Sequence, residues 1–175
     1  GLDSTVLLVA LAQLQRERPA LPPGPLRALH VDHGLHEDSS AWSQACADLC
    51  AGWGVPLEQA RVDAAHRPGE SPEAAARAAR YDAIHRRLRP GEVLLTAHQA
   101  DDQLETILLQ WLRGGGLASV AGMARLARFG GHAWHARPLL GFERSELEAW
   151  ARQEGLRWVV DPSNADRRFD RNYLR

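Results

Sequence analysis

The stretch Glu92-Val93-Leu94-Leu95-Thr96-Ala97 constrains the fold more than any other, because a short, nearly all-apolar run has no polar face to give to water. Such a run reads as a strand covered on both faces, central in a sheet and parallel to its neighbours. It is followed at once by His98-Gln99-Ala100-Asp101-Asp102-Gln103-Leu104-Glu105-Thr106 and then by the apolar Ile107-Leu108-Leu109-Gln110-Trp111-Leu112. A histidine and three carboxylates therefore crowd the carboxyl end of a strand and the first turn of a helix. In open α/β sheets that is where ligands bind.

The rest of the chain repeats the alternation. Val6, Val9, Ala10 and Leu14 recur at helical spacing in a first helix over about Ser4 to Glu17. Four prolines between Arg18 and Pro25 mark a surface connection. Leu26 to Val31 reads as a strand ending in Asp32-His33-Gly34, Ser39 to Trp53 as a helix stopped by Gly52 to Gly54, and Val55 to Val62 as a further strand. Pro72 launches a helix over Ala74 to Leu88. Two short strands surround Gly130-Gly131, Phe142 to Glu154 is an amphipathic helix with Leu147 and Trp150 inward, and Trp158-Val159-Val160 reads as a last strand. The expectation is an α/β fold with a doubly wound, mainly parallel sheet and helices on both faces. At 175 residues, 45% hydrophobic, the chain has material for one compact domain.

All 21 basic residues are arginine, which removes the lysine-dependent mechanisms: a Walker-type phosphate loop, a protein kinase and a pyridoxal Schiff base. Net charge is -1, so no overall basic field advertises nucleic acid, although Arg125 to Arg175 carries ten arginines against seven acids. Cys46 and Cys50 lie four apart in a helix, a spacing suited to neither a zinc knuckle nor a redox pair, and read as reduced core thiols of a cytoplasmic protein. No apolar run approaches transmembrane length.

Each candidate site has a plainer reading beside it. Gly1-Leu2-Asp3-Ser4-Thr5 puts backbone N–H groups and a positive dipole end where a phosphate could sit, and also makes an ordinary helix cap. His30 and Asp32 share a strand face with His33 in the next turn; without a cysteine or well-spaced ligands this suits a ligand crevice better than zinc. Asp102 with Glu105 makes a capping box, which leaves Asp101 and His98 unexplained unless Mg²⁺ or an amine offsets the repulsion. Arg113-Gly114-Gly115-Gly116 is either a helix stop or an arginine-tipped loop over phosphates. Arg77, Arg80 and Tyr81 form an i, i+3, i+4 patch that a solvated face also explains.

Taken in order, these pieces resemble a family. Gly1-Leu2-Asp3-Ser4 looks like the end of the Ser-Gly-Gly-x-Asp-Ser phosphate loop of the N-type ATP pyrophosphatases, or PP-loop enzymes. The similarity to their tRNA(Ile)-lysidine synthetase branch continues through His30 to Leu35, Ala76 to Tyr81, Thr96 to Thr106, Arg113-Gly114, Arg137 to Leu140, Asp161 to Asn164 and Asp170 to Asn172. The resemblance implies one PP-loop catalytic domain over 1–175, cut at its front with the first strand missing, and without the family's C-terminal tRNA-binding domains. It implies a cytoplasmic ligase with no membrane partner, for which a homodimer is one expectation, acting on an isoleucine tRNA with a CAU anticodon, free L-lysine, ATP and Mg²⁺. Gly1, Leu2, Asp3, Ser4, His30 and Asp32 would bind ATP, with Asp3 and Asp102 near the metal. Asp101, Asp102, Glu105, His98 and Arg113 would carry the chemistry, and Arg77, Arg80 and Arg171 would contact tRNA or phosphate. Gln99 sits where the family often has a second histidine or a bulky polar residue. A tRNA-thiolating relative and a non-catalytic nucleotide-binding module are the competing readings.

Overall fold

The computed structural model describes residues 1–18, 24–32, 38–62, 72–114, 116 and 121–160. Five helices and five strands alternate over most of this length: α1 (Leu2–Glu17), β1 (Ala28–Asp32), α2 (Ser39–Trp53), β2 (Leu57–Arg61), α3 (Pro72–His85), β3 (Val93–Leu95), α4 (Ala100–Leu112), β4 (Leu126–Phe129), β5 (Ala133–Ala136) and α5 (Arg144–Gln153). The fold is α/β with parallel strand pairs, as the alternation predicts. No helix among the described residues is long and apolar enough to cross a membrane. The chain gathers into two compact units, one formed by Leu8–Glu92 and the other by Gly1–Leu7 with Val93–Arg175.

In the Leu8–Glu92 unit, β1 and β2 pair in parallel from Ala28↔Leu57 to Asp32↔Arg61. Ala12, Cys50 and Val55 form a buried cluster against which Leu8, Leu26, Ala28, Cys46, Trp53 and Leu57 pack. Both cysteines are free thiols, and burial, with Cys46 adding to it, pushes the Cys50 thiol up to about 11. The rim is tied by Arg27, whose guanidinium grips both oxygens of Glu92 at 2.8 and 2.6 Å and reaches Glu58 at 3.1 Å. Arg87 holds Glu58 from the other side at 2.9 Å. The hydrogen bonds from Arg27, joined by the backbone N–H of Arg89, hold the Glu92 carboxyl at about 2, far below its ordinary value.

In the other unit, β3 pairs in parallel with β5, and β5 pairs antiparallel with β4. The Val-Leu-Leu strand is thus parallel as expected, but among the described residues the middle of this sheet belongs to β5, whose second edge is taken by the β4 hairpin. Phe129 and Ala133 close that hairpin across Gly130 and Gly131, both at positive φ (57° and 80°), a conformation that side chains resist. Leu139, Leu140 and Leu147 are buried, each contributing about 1.5–3 kcal/mol by leaving water. Trp150 is half-buried and Leu147 buried, so α5 turns inward the face its periodicity assigns. Trp158-Val159-Val160 is not a strand: its β propensity finds no ladder partner among the described residues, and the triplet lines a cavity instead.

Candidate active site

The first turn of α4 is built by reciprocal capping. Gln99 is the N-cap, its side-chain oxygen accepting from the Asp101 backbone N–H at 2.6 Å, while the Asp102 carboxylate accepts from the Gln99 N–H at 3.1 Å. The box therefore joins Gln99 to Asp102, not Asp102 to Glu105 as the spacing alone suggests, because an extended glutamine can do the work of a serine cap. Glu105 is released from capping and lies buried, 4% exposed, one turn from Asp102 at 9%. Two carboxylates on one helix face are thereby taken out of water, an arrangement that costs energy unless positive charge or donors meet it. Asp101, on the same turn, remains half-buried.

Two links fix this turn to its surroundings. The Ala100 N–H donates to the Phe142 carbonyl at 2.8 Å. Gln103 clasps Met123 from both sides, donating to its carbonyl at 3.1 Å and accepting from its N–H at 2.7 Å. Gly122 allows the clasp: its φ is 60°, and a Cβ there would come within 2.8 Å of the Gln103 amide. At the far end α4 stops where the Gly114 N–H bonds to the Trp111 carbonyl at 2.9 Å; Gly115 lies outside the described residues. Arg113 is exposed at that end.

Beside α4, Thr96 continues β3 by donating its N–H to the Ala136 carbonyl at 3.1 Å. Its hydroxyl stands 2.8 Å from His98 Nδ1 and 2.8 Å from His135 Nε2. His135 is buried on β5, and its Nδ1 lies 3.2 Å from Arg137 Nη2, while Arg137 Nη1 donates to the Ala124 carbonyl at 2.7 Å. The sequence singled out His98 but gave no sign of His135, because the pairing of β3 with β5 joins residues 39 apart.

Gly1, Leu2, Asp3 and Ser4 form the start of α1, two residues ahead of the expected helix. The Ser4 hydroxyl donates to the Gly1 carbonyl at 3.0 Å, and Thr5 N–H donates to the same oxygen at 3.1 Å. Asp3 meets Arg144, both carboxylate oxygens standing 3.4 Å from Nη1. Gly1, Leu2, Asp3, Arg144 and the Trp158-Val159-Val160 triplet line a cavity of about 100 Å³. Arg144 went unnoticed in the sequence, yet it carried a signal: an arginine in the first turn of α5 opposes the helix dipole and calls for an acid partner.

The unit that holds Gly1 to Ser4 also holds His98, Asp101, Asp102, Glu105 and Arg113, whereas His30, Asp32, Arg77 and Arg80 belong to the Leu8–Glu92 unit. His30 and Asp32 close β1; His30 Nε2 sits 3.1 Å from the Ser43 hydroxyl, and burial draws its imidazole below the ordinary value against the opposing pull of Asp32. Arg77 stacks over the Tyr81 ring at 4.9 Å, and Arg80 is exposed on α3. Arg171, His33 and the whole Asp161 to Arg175 stretch lie outside the described residues. Among the described residues no three His, Cys, Asp or Glu side chains converge to hold a metal by themselves.

Comparison with known proteins adds to this geometry. The chain is 47% identical over 175 residues to a tRNA(Ile)-lysidine synthase from Methylococcus capsulatus, covering 100% of this chain and 39% of that protein. Proteins of the same name from Pseudomonas syringae pv. tomato and Escherichia coli O157:H7 are 52% and 50% identical, again over 100% of this chain and 38% and 39% of their own length. The chain thus spans about two fifths of the curated relatives it matches. Among solved structures, a U34-tRNA thiolase from Methanococcus maripaludis with its 4Fe-4S cluster superposes with a TM-score of 0.77 over 99% of this chain and 61% of that one, at 16% identity, a likeness of fold alone. The family model of the PP-loop domain matches residues 1–175, and the chain belongs to the PP-loop domain family.

Proposed function

We propose that this chain is the ATP-using core of a tRNA(Ile)-lysidine synthase, which adenylates the C2 oxygen of the wobble cytidine of an isoleucine tRNA and lets the amine of free L-lysine displace AMP. The observation that carries the reading is the match to proteins of that name along all of this chain at 47–52% identity. The chemistry of the α4 turn agrees with it. Asp102 and Glu105, buried on one face, would hold the arriving lysine through its ammonium, and one of the carboxylates would take its proton so that the free amine attacks, with Asp101 at the edge of the same turn. The start of α1 would bind pyrophosphate through its backbone N–H groups. Arg77 and Arg80 would meet the tRNA backbone.

The residues fit the phosphates of a nucleotide with Mg²⁺ in specific respects. The cavity of about 100 Å³ beside Gly1 to Asp3 takes a phosphate group but not a nucleoside, since small-molecule sites begin at about 300 Å³. Mg²⁺ commonly uses one or two carboxylates and completes its shell with phosphate oxygens and water, so Asp3 and Asp102 suffice without a protein cage. Asp3 would have to share or release Arg144, and their 3.4 Å separation, partly exposed, makes that inexpensive. Gln99 adds a donor: its Nε2 is wholly buried with no hydrogen-bond partner among the described residues, although its oxygen is fixed on Asp101.

A thiolating activity is not favoured. Clusters of the kind that thiolase carries are held by cysteine thiolates, and this chain has two cysteines, both in α2 and one of them buried with its thiol raised. Product analysis decides among the readings. With tRNA(Ile), ATP and labelled lysine, a protein carrying this chain at its relatives' length should release AMP and put lysine into the tRNA. Sulfur incorporation, or nucleotide binding without turnover, would replace this function with one of the alternatives.

A further inference from the structure

We infer that His135, acting through Thr96, fixes His98 as the tautomer that carries its proton on Nε2, so that His98 offers the site a hydrogen-bond donor and not a general base. The argument follows protons along one chain of contacts. Arg137 has only donors, so His135 Nδ1, 3.2 Å from Nη2, must be the accepting nitrogen. The proton of neutral His135 then sits on Nε2 and is donated to the Thr96 hydroxyl at 2.8 Å. A hydroxyl oxygen can accept twice, but its one proton needs an acceptor, and among the described residues Thr96 Oγ meets only these two rings; with His135 Nε2 donating, the proton goes to His98 Nδ1, also at 2.8 Å. His98 is left with its own proton on Nε2.

Each link is held in place independently. Thr96 is fixed by its N–H bond to Ala136, His135 by burial beside Phe129 at 6.0 Å between ring centroids, and Arg137 by the Ala124 carbonyl. His135 and Thr96 are positioning residues. What His98 donates to depends on the ligase reading, where a phosphate or leaving-group oxygen is the natural acceptor; the tautomer itself depends only on the atoms above.

The test is a long-range proton–nitrogen spectrum of the protein labelled with ¹⁵N-histidine, His98 being identified by the pattern lost in His98→Gln. The expected spectrum shows His98 and His135 both with a pyrrole-type Nε2 and a pyridine-type Nδ1. Thr96→Val should move the His98 Nδ1 signal to that of a nitrogen accepting no hydrogen bond and shift its tautomer ratio about fivefold toward Nδ1–H, the effect of one net hydrogen bond. Thr96→Ser should restore both. A proton on His98 Nδ1 in the unmodified protein, or a signal unmoved by Thr96→Val, overturns the inference, and the unmodified spectrum alone decides if the variant does not fold. Because the readout needs no substrate, a protein with this tautomer that makes no lysidine would refute the ligase reading and leave the inference intact.

Discussion

The starts of α1 and α4 lie in one compact unit, and both are rich in polar side chains, yet they are finished in opposite ways. At α4, side-chain oxygens of Gln99 and Asp102 accept from backbone N–H groups, so the helix end is satisfied from within. At α1 the Ser4 hydroxyl points the other way and donates to the Gly1 carbonyl, while Asp3 leans on Arg144. The Ser4 proton goes to a carbonyl, and the first N–H groups of a helix have no intrahelical partner. The contrast teaches how similar composition is divided between two tasks: α4 supplies carboxylates on a rigid turn, suited to a cation, and α1 supplies donors, suited to an anion.

The largest effect should come from the acids. Asp102→Asn and Glu105→Gln in a lysidine-forming protein should each raise the lysine KM by about 10- to 100-fold, the value of a charge-assisted bond of roughly 1.5–3 kcal/mol, with urea stability changed by less than about 1 kcal/mol. An unmoved KM with matching loss of stability would make the α4 turn a cap only and erase the contrast. Next, Gln103→Ala removes both bonds of the Met123 clasp and should cost about 2 kcal/mol of stability by urea unfolding. Loss below about 0.5 kcal/mol would show that α4 is not held there.

Arg144→Gln probes the other start. Pyrophosphate affinity by calorimetry should fall about tenfold if the α1 end receives an anion, whereas stability should fall by under about 1 kcal/mol because the Asp3 pair is partly exposed. Affinity that rises instead would mean that Arg144 competes with the anion by holding the loop closed. The smallest effect lies away from both helix starts and serves as a control. The Glu92 carboxyl is lowered from 4.5 to about 2 by Arg27, so the pair stabilises the fold above pH 4.5, and that contribution is lost as pH falls through about 2. With solvent screening it amounts to about 1 kcal/mol, and Arg27→Met should remove this part of the acid slope seen in chemical unfolding.

The helices were legible in the sequence to within about three residues at their ends, since periodicity and stop signals are local: Ser39–Trp53 matches, while α3 spans Pro72–His85 where Ala74 to Leu88 was expected. Asp101, Asp102 and Glu105 were legible as a cluster because they sit within one turn. What sequence could not supply are the partners chosen by tertiary pairing: His135 for Thr96, Arg144 for Asp3, and Arg27 for Glu92. The misread box has a local cause, since glutamine ranks low as a cap and Asp102 with Glu105 fitted the familiar spacing. Trp158-Val159-Val160 failed for a converse reason: propensity names residues that tolerate a ladder, but only an available edge makes a strand.

The Gln103–Met123 clasp also decides how the first turns of α4 come apart. It joins them to the approach to β4, so neither segment can open without losing both bonds. Any residue but glycine at 122 would press on the Gln103 amide and loosen the two together. The backbone amides around Gln103 and Met123 should therefore exchange with solvent as one cooperative unit, the acid-bearing turn opening only when the approach to β4 opens with it.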